Sequence, residues 1–131
     1  KAINQANAWA RFVAAAVAYQ AILDADPSHA EAKGALRQIT FLERATSARP
    51  DAVAVADAAP DDIDAAFAAA DVQVLSQDVA AAFDRLIGLI RRTDDDERTR
   101  VRTRLIELFE LFDPADPDVI AGRRNLANAL Y

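Results

Sequence analysis

Turns that end helices recur at nearly equal distances along this chain, and this spacing limits the folds open to it. The turns lie at Asp26-Pro27, Ala59-Pro60 and Thr93-Asp94, which are 33 and then 34 residues apart. A regular spacing of this size indicates a repeated supersecondary unit. A helix pair cannot bury its apolar face alone, so the spacing predicts stacked pairs in a curved array with a groove. A seven-helix bundle without a groove is the alternative.

The composition favours helices throughout. Alanine, the strongest helix former, occupies 32 of the 131 positions, whereas three glycines and five prolines are too few for a β-rich fold. We predict one all-α domain over residues 1–131, with about seven antiparallel helices and short loops. Segment 51–59 alternates like a strand, but its neighbours favour a short helix. The sixth helix is predicted to start at Asp94 and to reach Phe112.

Capping signals predict several helix starts. Ser28 and Glu31 fit the S-x-x-E capping box and place the start of the second helix there. Asp61 is the predicted N-cap of the fourth helix, where an acidic side chain also complements the helix dipole. Asp116 is the predicted N-cap of the last helix, with Pro117 at its first position.

Several function classes are excluded by what the chain lacks. Without cysteine there is no disulfide, thiolate nucleophile or cysteine metal site, and His29 is the only histidine. The acidic run 94–97 lacks the spaced ligands and the glycine of a calcium loop. No phosphate loop, Ser/His pair or carboxylate dyad is visible, so we expect neither an enzyme nor a cofactor. The net charge of −6 disfavours nucleic acid, and no apolar run is long enough to span a membrane.

The start of the chain suggests that the sequence is part of a longer protein. It contains no methionine and begins at Lys1, within a run that already has a helical pattern. We therefore expect a fragment, and any function derived from it is the function of that part.

The arginines of the sixth helix and two aromatic residues of the first are predicted to have structural roles. Arg98, Arg100, Arg102 and Arg104 recur every two residues, which spreads them around a helix and predicts exposed arginines paired with acids. Trp9 and Tyr19 are predicted to be packing residues of the first helix.

Two of the three units resemble the tetratricopeptide repeat, a helix–turn–helix of about 34 residues. In that repeat a small residue lets the two helices approach, an aromatic follows four positions later, and proline closes the unit. Ala15, Tyr19 and Pro27 match these positions, and Ala82 with Leu86 matches in the third unit. The middle unit departs from the pattern, and no unit has the leading Trp-x-x-Leu-Gly of the family.

A narrower resemblance involves the C-terminal third. The runs 81–86, 91–93, 105–109 and 123–131 are similar to the tetratricopeptide region of the thioredoxin-like chaperedoxins (the YbbN/CnoX type) of high-GC bacteria. The resemblance implies a cytoplasmic co-chaperone that holds unfolded client proteins and transfers them to a chaperonin. It also implies a thioredoxin-like domain preceding this region, which is absent from the sequence. The alternative is a non-catalytic dimerisation or scaffolding module of a redox protein.

By position, the resemblance places chaperonin docking on the last helix. The residues carried over are Arg123, Arg124, Leu126, Leu130 and Tyr131. An amphipathic terminal helix can bind in a hydrophobic groove of a partner, and Gly122 permits close approach of its backbone to a neighbour. The same helix can instead cap the array, since terminal repeats need a polar outer face, and the two roles are compatible.

Overall fold

Seven α-helices form the regular structure of this computed structural model, which describes the backbone of residues 2–131 and the side chains of residues 7–131. They are α1 (Ala2–Ala25), α2 (Ala30–Ser47), α3 (Ala52–Ala58), α4 (Ile63–Leu75), α5 (Val79–Arg91), α6 (Asp95–Phe109) and α7 (Pro117–Leu130). No strand occurs within residues 2–131, and segment 51–59 is helical. The all-α prediction with about seven helices is confirmed, whereas Lys1 lies outside the described residues.

The chain divides into two compact units, and the first, Lys1–Ser47, is a helical hairpin of α1 and α2. The side of α1 that carries Phe12, Tyr19 and Leu23 is half-buried. Trp9 is 50% exposed, so its predicted packing role applies to at most half of its surface. The prediction of one domain over residues 1–131 stays a prediction, and the chain divides into the two compact units given above.

The second unit, Ala48–Tyr131, is organised around α5. This helix packs against α4, α6 and α7, and α3 packs against α4. The ring of Phe83 meets Phe109 edge-to-face, with centroids 4.8 Å apart and an interplanar angle of 86°. Both rings are almost fully buried. This aromatic pair joins the helices α5 and α6 at the centre of the unit.

Gly122 allows α7 to approach this aromatic pair. A Cβ atom at this position would lie 2.7 Å from Cε1 of Phe109 and 3.1 Å from Cδ2 of Phe83. Any side chain larger than hydrogen therefore requires the rings to move. The prediction of close approach at Gly122 is confirmed.

The predicted capping box at Ser28 is wrong. The Ser28 hydroxyl and amide both donate to Oδ1 of Asp26, at 2.9 and 3.2 Å, so the serine side chain is engaged in the preceding turn. The first turn of α2 is capped instead by His29, whose Nδ1 accepts from the Ala32 amide at 3.0 Å. An imidazole nitrogen here serves the role that Ser, Thr, Asp and Asn usually fill.

Other helix boundaries differ from prediction by one to three residues. The N-cap of α4 is Asp62, which accepts from the Ala65 amide at 3.0 Å, rather than Asp61. Asp61 is bound instead by Arg92. Helix α6 ends at Phe109 rather than Phe112. The N-cap at Asp116, which accepts from the Asp118 amide at 2.8 Å, is confirmed.

Candidate protein-binding surfaces

Helices α4 and α6 lie in parallel register, joined by their side chains. Arg100 forms a salt bridge with Asp64, and Arg104 lies 3.8 Å from Oδ2 of Asp71. The guanidinium carbons of Arg100 and Arg104 lie 5.1 and 4.4 Å from the centroid of the Phe67 ring. Residue numbers increase in the same direction on both helices, and the paired residues are 33 to 37 positions apart. This separation is one repeat length, so α4 and α6 are equivalent helices of successive repeats.

The side chains between these helices line a shallow cleft, which we call the α4–α6 face. It has a volume of about 260 Å³ and is lined by Phe67, Arg100, Thr103, Arg104 and Glu107. Arg104 also lies 3.6 Å from Glu107 along its own helix. Because carboxylates already compensate both guanidinium groups, the face is a largely neutral polar surface with an aromatic base.

A second cleft opens between α3, α4 and α5, and we call it the α5 cleft. It has a volume of about 490 Å³ and is lined by Ala56, Asp57, Pro60, Gln73, Ala81, Asp84, Arg85, Gly88 and Arg92. One wall is held by Arg85, which donates to Oε1 of Gln73 at 3.1 Å and to Oδ1 of Asp57 at 2.8 Å. The other is held by Arg92, which donates to Oδ1 of Asp61 at 3.1 Å and to the Pro60 carbonyl at 3.0 Å.

The docking residues predicted on α7 lie on different sides of the helix. Arg123, Arg124 and Tyr131 are exposed, Leu130 is half-buried, and Leu126 is 8% exposed. The guanidinium of Arg123 lies 5.1 Å from the centroid of the Phe109 ring, so its stem covers the core of the second unit. The leucines therefore face the protein interior, Arg123 lies over the core, and Arg124 and Tyr131 face solvent.

Ile120 adds an apolar residue to the solvent side of α7. It is 52% exposed and lies one turn before Arg124, while Ala127 and Tyr131 continue the same stripe. We call Ile120, Arg124, Ala127 and Tyr131 the outer α7 stripe. Its residues recur at intervals of three and four, the spacing of one helix face, and the predicted docking residues include only Arg124 and Tyr131 of this stripe.

Helix α1 presents an exposed apolar stripe in the first unit. Trp9, Val13 and Val17 are 50%, 44% and 65% exposed and recur every four residues. Large apolar residues that are exposed singly are normal, but a row of three along one helix is a candidate interaction surface. We call these three residues the α1 stripe.

Neither a metal cluster nor a membrane span is found in the described part of the chain. Among its side chains, no three histidine or acidic residues are grouped so that they could hold a metal ion. None of its helices is long and apolar enough to cross a bilayer.

Equivalent helices stacked one repeat apart define a helical-repeat protein, a class that presents extended surfaces to other proteins. The chain belongs to the tetratricopeptide repeat family. The family model described as Tetratricopeptide repeat matches residues 42–131. Tetratricopeptide repeats are protein-interaction modules, so the predictions of a repeat fold and of a protein-binding role are confirmed at this level.

The relatives of the chain are longer mycobacterial proteins. Over 120 residues the chain is 78% identical to uncharacterized proteins of Mycobacterium tuberculosis and Mycobacterium bovis. The match covers 92% of the chain but 40% of each relative, so more than half of each relative lies outside it. No solved structure shows a significant match to the chain.

Sequence reasoning did not identify the α4–α6 face or the α5 cleft. Alternate spacing distributes the four arginines around α6, but of the four only Arg100 is exposed as predicted, since Arg98, Arg102 and Arg104 are half-buried. Arg100 and Arg104 lie one turn apart on the same side. The signal that could have found them is their offset of 33 to 37 residues from Asp64, Phe67 and Asp71.

Proposed function

We propose that this repeat domain is the protein-binding part of a cytoplasmic thioredoxin-like co-chaperone. In this proposal it binds unfolded clients and docks on a chaperonin through α7, while a thioredoxin-like domain elsewhere in the protein handles client cysteines. Family membership supports a protein-binding role, and the length of the relatives leaves space for a further domain. The similarity to the chaperedoxins supports the particular partners.

The observation that carries the docking proposal is the outer α7 stripe. Buried Leu126 and half-buried Leu130 hold the helix on its own unit, which leaves Arg124 and Tyr131 available to a partner. Arginine and tyrosine are the residue types that most often dominate binding energy at interfaces. Neither Arg124 nor Tyr131 contacts another described residue through its side-chain polar atoms.

We expect the double substitution Arg124→Glu and Tyr131→Ala, made in the full-length protein, to weaken chaperonin binding by about 30-fold or more. Loss of two hot-spot side chains costs at least about 2 kcal/mol, which corresponds to that ratio. The measurement is biolayer interferometry against purified chaperonin. Substitution is preferable to deletion of 125–131, because deletion also removes the buried side chain of Leu126.

The matched control is Arg91→Glu, which reverses an exposed charge at the C-terminal end of α5, on a different helix from the stripe. It should leave chaperonin affinity within about twofold, since surface substitutions usually have small effects. Unchanged binding by the α7 double variant, with a native circular dichroism spectrum, would refute docking through this stripe.

A second candidate function, self-association as a scaffold, is favoured by the α1 stripe. Client binding and dimerisation both bury apolar surface, but they differ in what covers Trp9, the only tryptophan of the chain. A second copy would cover it as the protein concentration rises. An unfolded client would cover it at constant protein concentration.

We expect the Trp9 emission to shift to shorter wavelength when a reduced, unfolded test protein is added, and aggregation of that protein to be suppressed. Sedimentation velocity over a hundredfold concentration range should show no dimer. Val17→Asp, which places a charge in the stripe, should abolish both effects, whereas Ala18→Asp beside it should weaken them less. A dimer with a concentration-dependent emission shift, and without suppression of aggregation, would instead establish scaffolding.

A further inference from the structure

One of the charged residues that line the α5 cleft has no partner in the described part of the chain. Arg85 is compensated by Asp57, and Arg92 by Asp61, each through a hydrogen-bonded salt bridge. Asp84 is exposed in the same cleft and forms no hydrogen bond or ion pair with any described residue. The lining holds two carboxylates and two guanidinium groups, but Arg92 is paired with Asp61 outside the lining, so among the described side chains Asp84 is the carboxylate left without a cation.

Gly88 at the floor of the cleft is not explained by packing within the chain. It lies in the middle of α5, where glycine destabilises a helix by about 1 kcal/mol relative to alanine. A Cβ atom there would meet only the end of a flexible side chain, Nη1 of Arg92 at 3.3 Å. Gly122 differs, since its Cβ would collide with two buried rings. The absence of a side chain at Gly88 leaves space in the cleft that a larger residue would fill.

Hydrogen bonds and a salt bridge of Arg85 hold side chains of the α5 cleft in place before any ligand binds. Arg85, whose side chain is 18% exposed, joins α5 to α4 through Gln73 and to α3 through Asp57. Its Nε donates a hydrogen bond to the amide oxygen of Gln73, so the amide group of that residue is held in place. A ligand that enters the cleft therefore meets an arranged set of polar groups beside the free carboxylate of Asp84.

We propose that the α5 cleft binds a cationic side chain, arginine or lysine, presented by a protein partner. The cation pairs with Asp84, and its aliphatic stem lies over the small residues Ala81 and Gly88. A volume of about 490 Å³ accommodates an arginine side chain with its adjoining peptide group. An anion is disfavoured, because Asp57 and Asp61 already compensate the two guanidinium groups and Asp84 adds a negative charge that is unpaired within residues 7–131.

This site is separate from the outer α7 stripe and from the proposed chaperonin docking. Its residues belong to α3, α4, α5 and the loops that follow α3 and α5, and none lies on α7. A test with a small cationic probe therefore succeeds or fails independently of the co-chaperone proposal.

The experiment is a titration of the ¹⁵N-labelled 131-residue chain with N-acetyl-arginine amide, followed by amide chemical shifts. We expect shifts centred on residues 81–88, with a Kd of about 1 mM, the range of a fragment-sized ligand. The neutral isostere N-acetyl-citrulline amide should bind about tenfold more weakly, because a hydrogen-bonded charge pair contributes about that factor. Equal binding of the two probes, no shifts with either, or displacement by inorganic phosphate would each overturn the proposal.

Two variants test the residues. Asp84→Asn keeps the shape and removes the charge, and it should weaken binding of the arginine probe about tenfold. Gly88→Leu fills the cleft and should abolish binding, while leucine is a better helix former than glycine and preserves α5. Asp96→Asn, in the exposed first turn of α6, is the matched control and should leave Kd unchanged. The Arg124→Glu, Tyr131→Ala variant should bind the probe as the unsubstituted chain does. An Asp84→Asn variant with unchanged Kd contradicts the assignment.

Discussion

Phe109→Ala is expected to lower the free energy of unfolding of the second unit by about 3–5 kcal/mol, the usual cost of removing a buried phenylalanine ring. The ring is 1% exposed and meets Phe83 edge-to-face. The ring also lies against the backbone of α7 at Gly122, and the guanidinium of Arg123 lies 5.1 Å from its centroid. One truncation therefore removes packing from α5, α6 and α7 together. Urea denaturation followed by circular dichroism measures the change.

Two further variants test whether the loss of stability comes from the buried ring and its aromatic pair. Ile120→Ala removes an apolar side chain that is 52% exposed, and it should change stability by no more than about 0.5 kcal/mol. Phe109→Leu retains most of the volume, so it should cost less than alanine while losing the aromatic pair, worth about 0.5–1.5 kcal/mol. If Phe109→Ala cost no more than Ile120→Ala, the aromatic pair would not be the centre of the unit. Under the proposed docking through α7, chaperonin binding should fall with the loss of α7 packing in Phe109→Ala and stay intact in Phe109→Leu.

Arg104→Ala is expected to destabilise the second unit by about 3 kcal/mol, at the lower end of the cost of breaking a buried ion pair. Asp71 is 3% exposed, so its carboxylate depends on neighbours inside the protein rather than on water. Arg104 supplies a positive charge 3.8 Å away and covers the Phe67 ring at 4.4 Å. Removing the side chain takes a positive charge away from the buried carboxylate of Asp71 and removes a contact between α4 and α6.

Arg102→Ala is the matched control on the same helix. It removes the same side chain from a half-buried position outside the α4–α6 face, and it should change stability by about 0.5 kcal/mol or less. Arg104→Lys keeps the charge without the planar group that stacks on Phe67, so it should lie between the two. Equal unfolding midpoints for Arg104→Ala and Arg102→Ala would show that the Asp71 contact contributes nothing to stability.

Most of the helices could be predicted from the sequence, because alanine content, apolar spacing and proline-bounded turns all agree. The individual caps could not, since neighbouring residues compete for the same backbone groups. The carboxylate of Asp26 accepts a hydrogen bond from the Ser28 hydroxyl, and His29 caps the first turn of α2 instead. Asp61 and Asp62 are adjacent acids, and the distant Arg92 binds one of them, so the other caps α4.

The surfaces could be predicted only where one helix defines them. The outer α7 stripe lies along a single helix, and the predicted docking residues already include its members Arg124 and Tyr131, though not Ile120. The α4–α6 face and the α5 cleft depend on which residues of different helices meet, which local periodicity does not specify. Leu126 shows the same limit, because its spacing alone does not distinguish a residue that faces a partner from one that faces α5.

The order in which helices pack has a consequence for the synthesis of the chain. Within the second unit the main packed pairs of helices are adjacent in the sequence or separated by one helix, as α5 and α7 are. Contacts between segments close in sequence form quickly, because little loop entropy is lost when they meet. Each helix can therefore pack on those already made as the chain leaves the ribosome. Helix α7 is made after α5 and α6, so Phe83 and Phe109 are already in place when it packs on them.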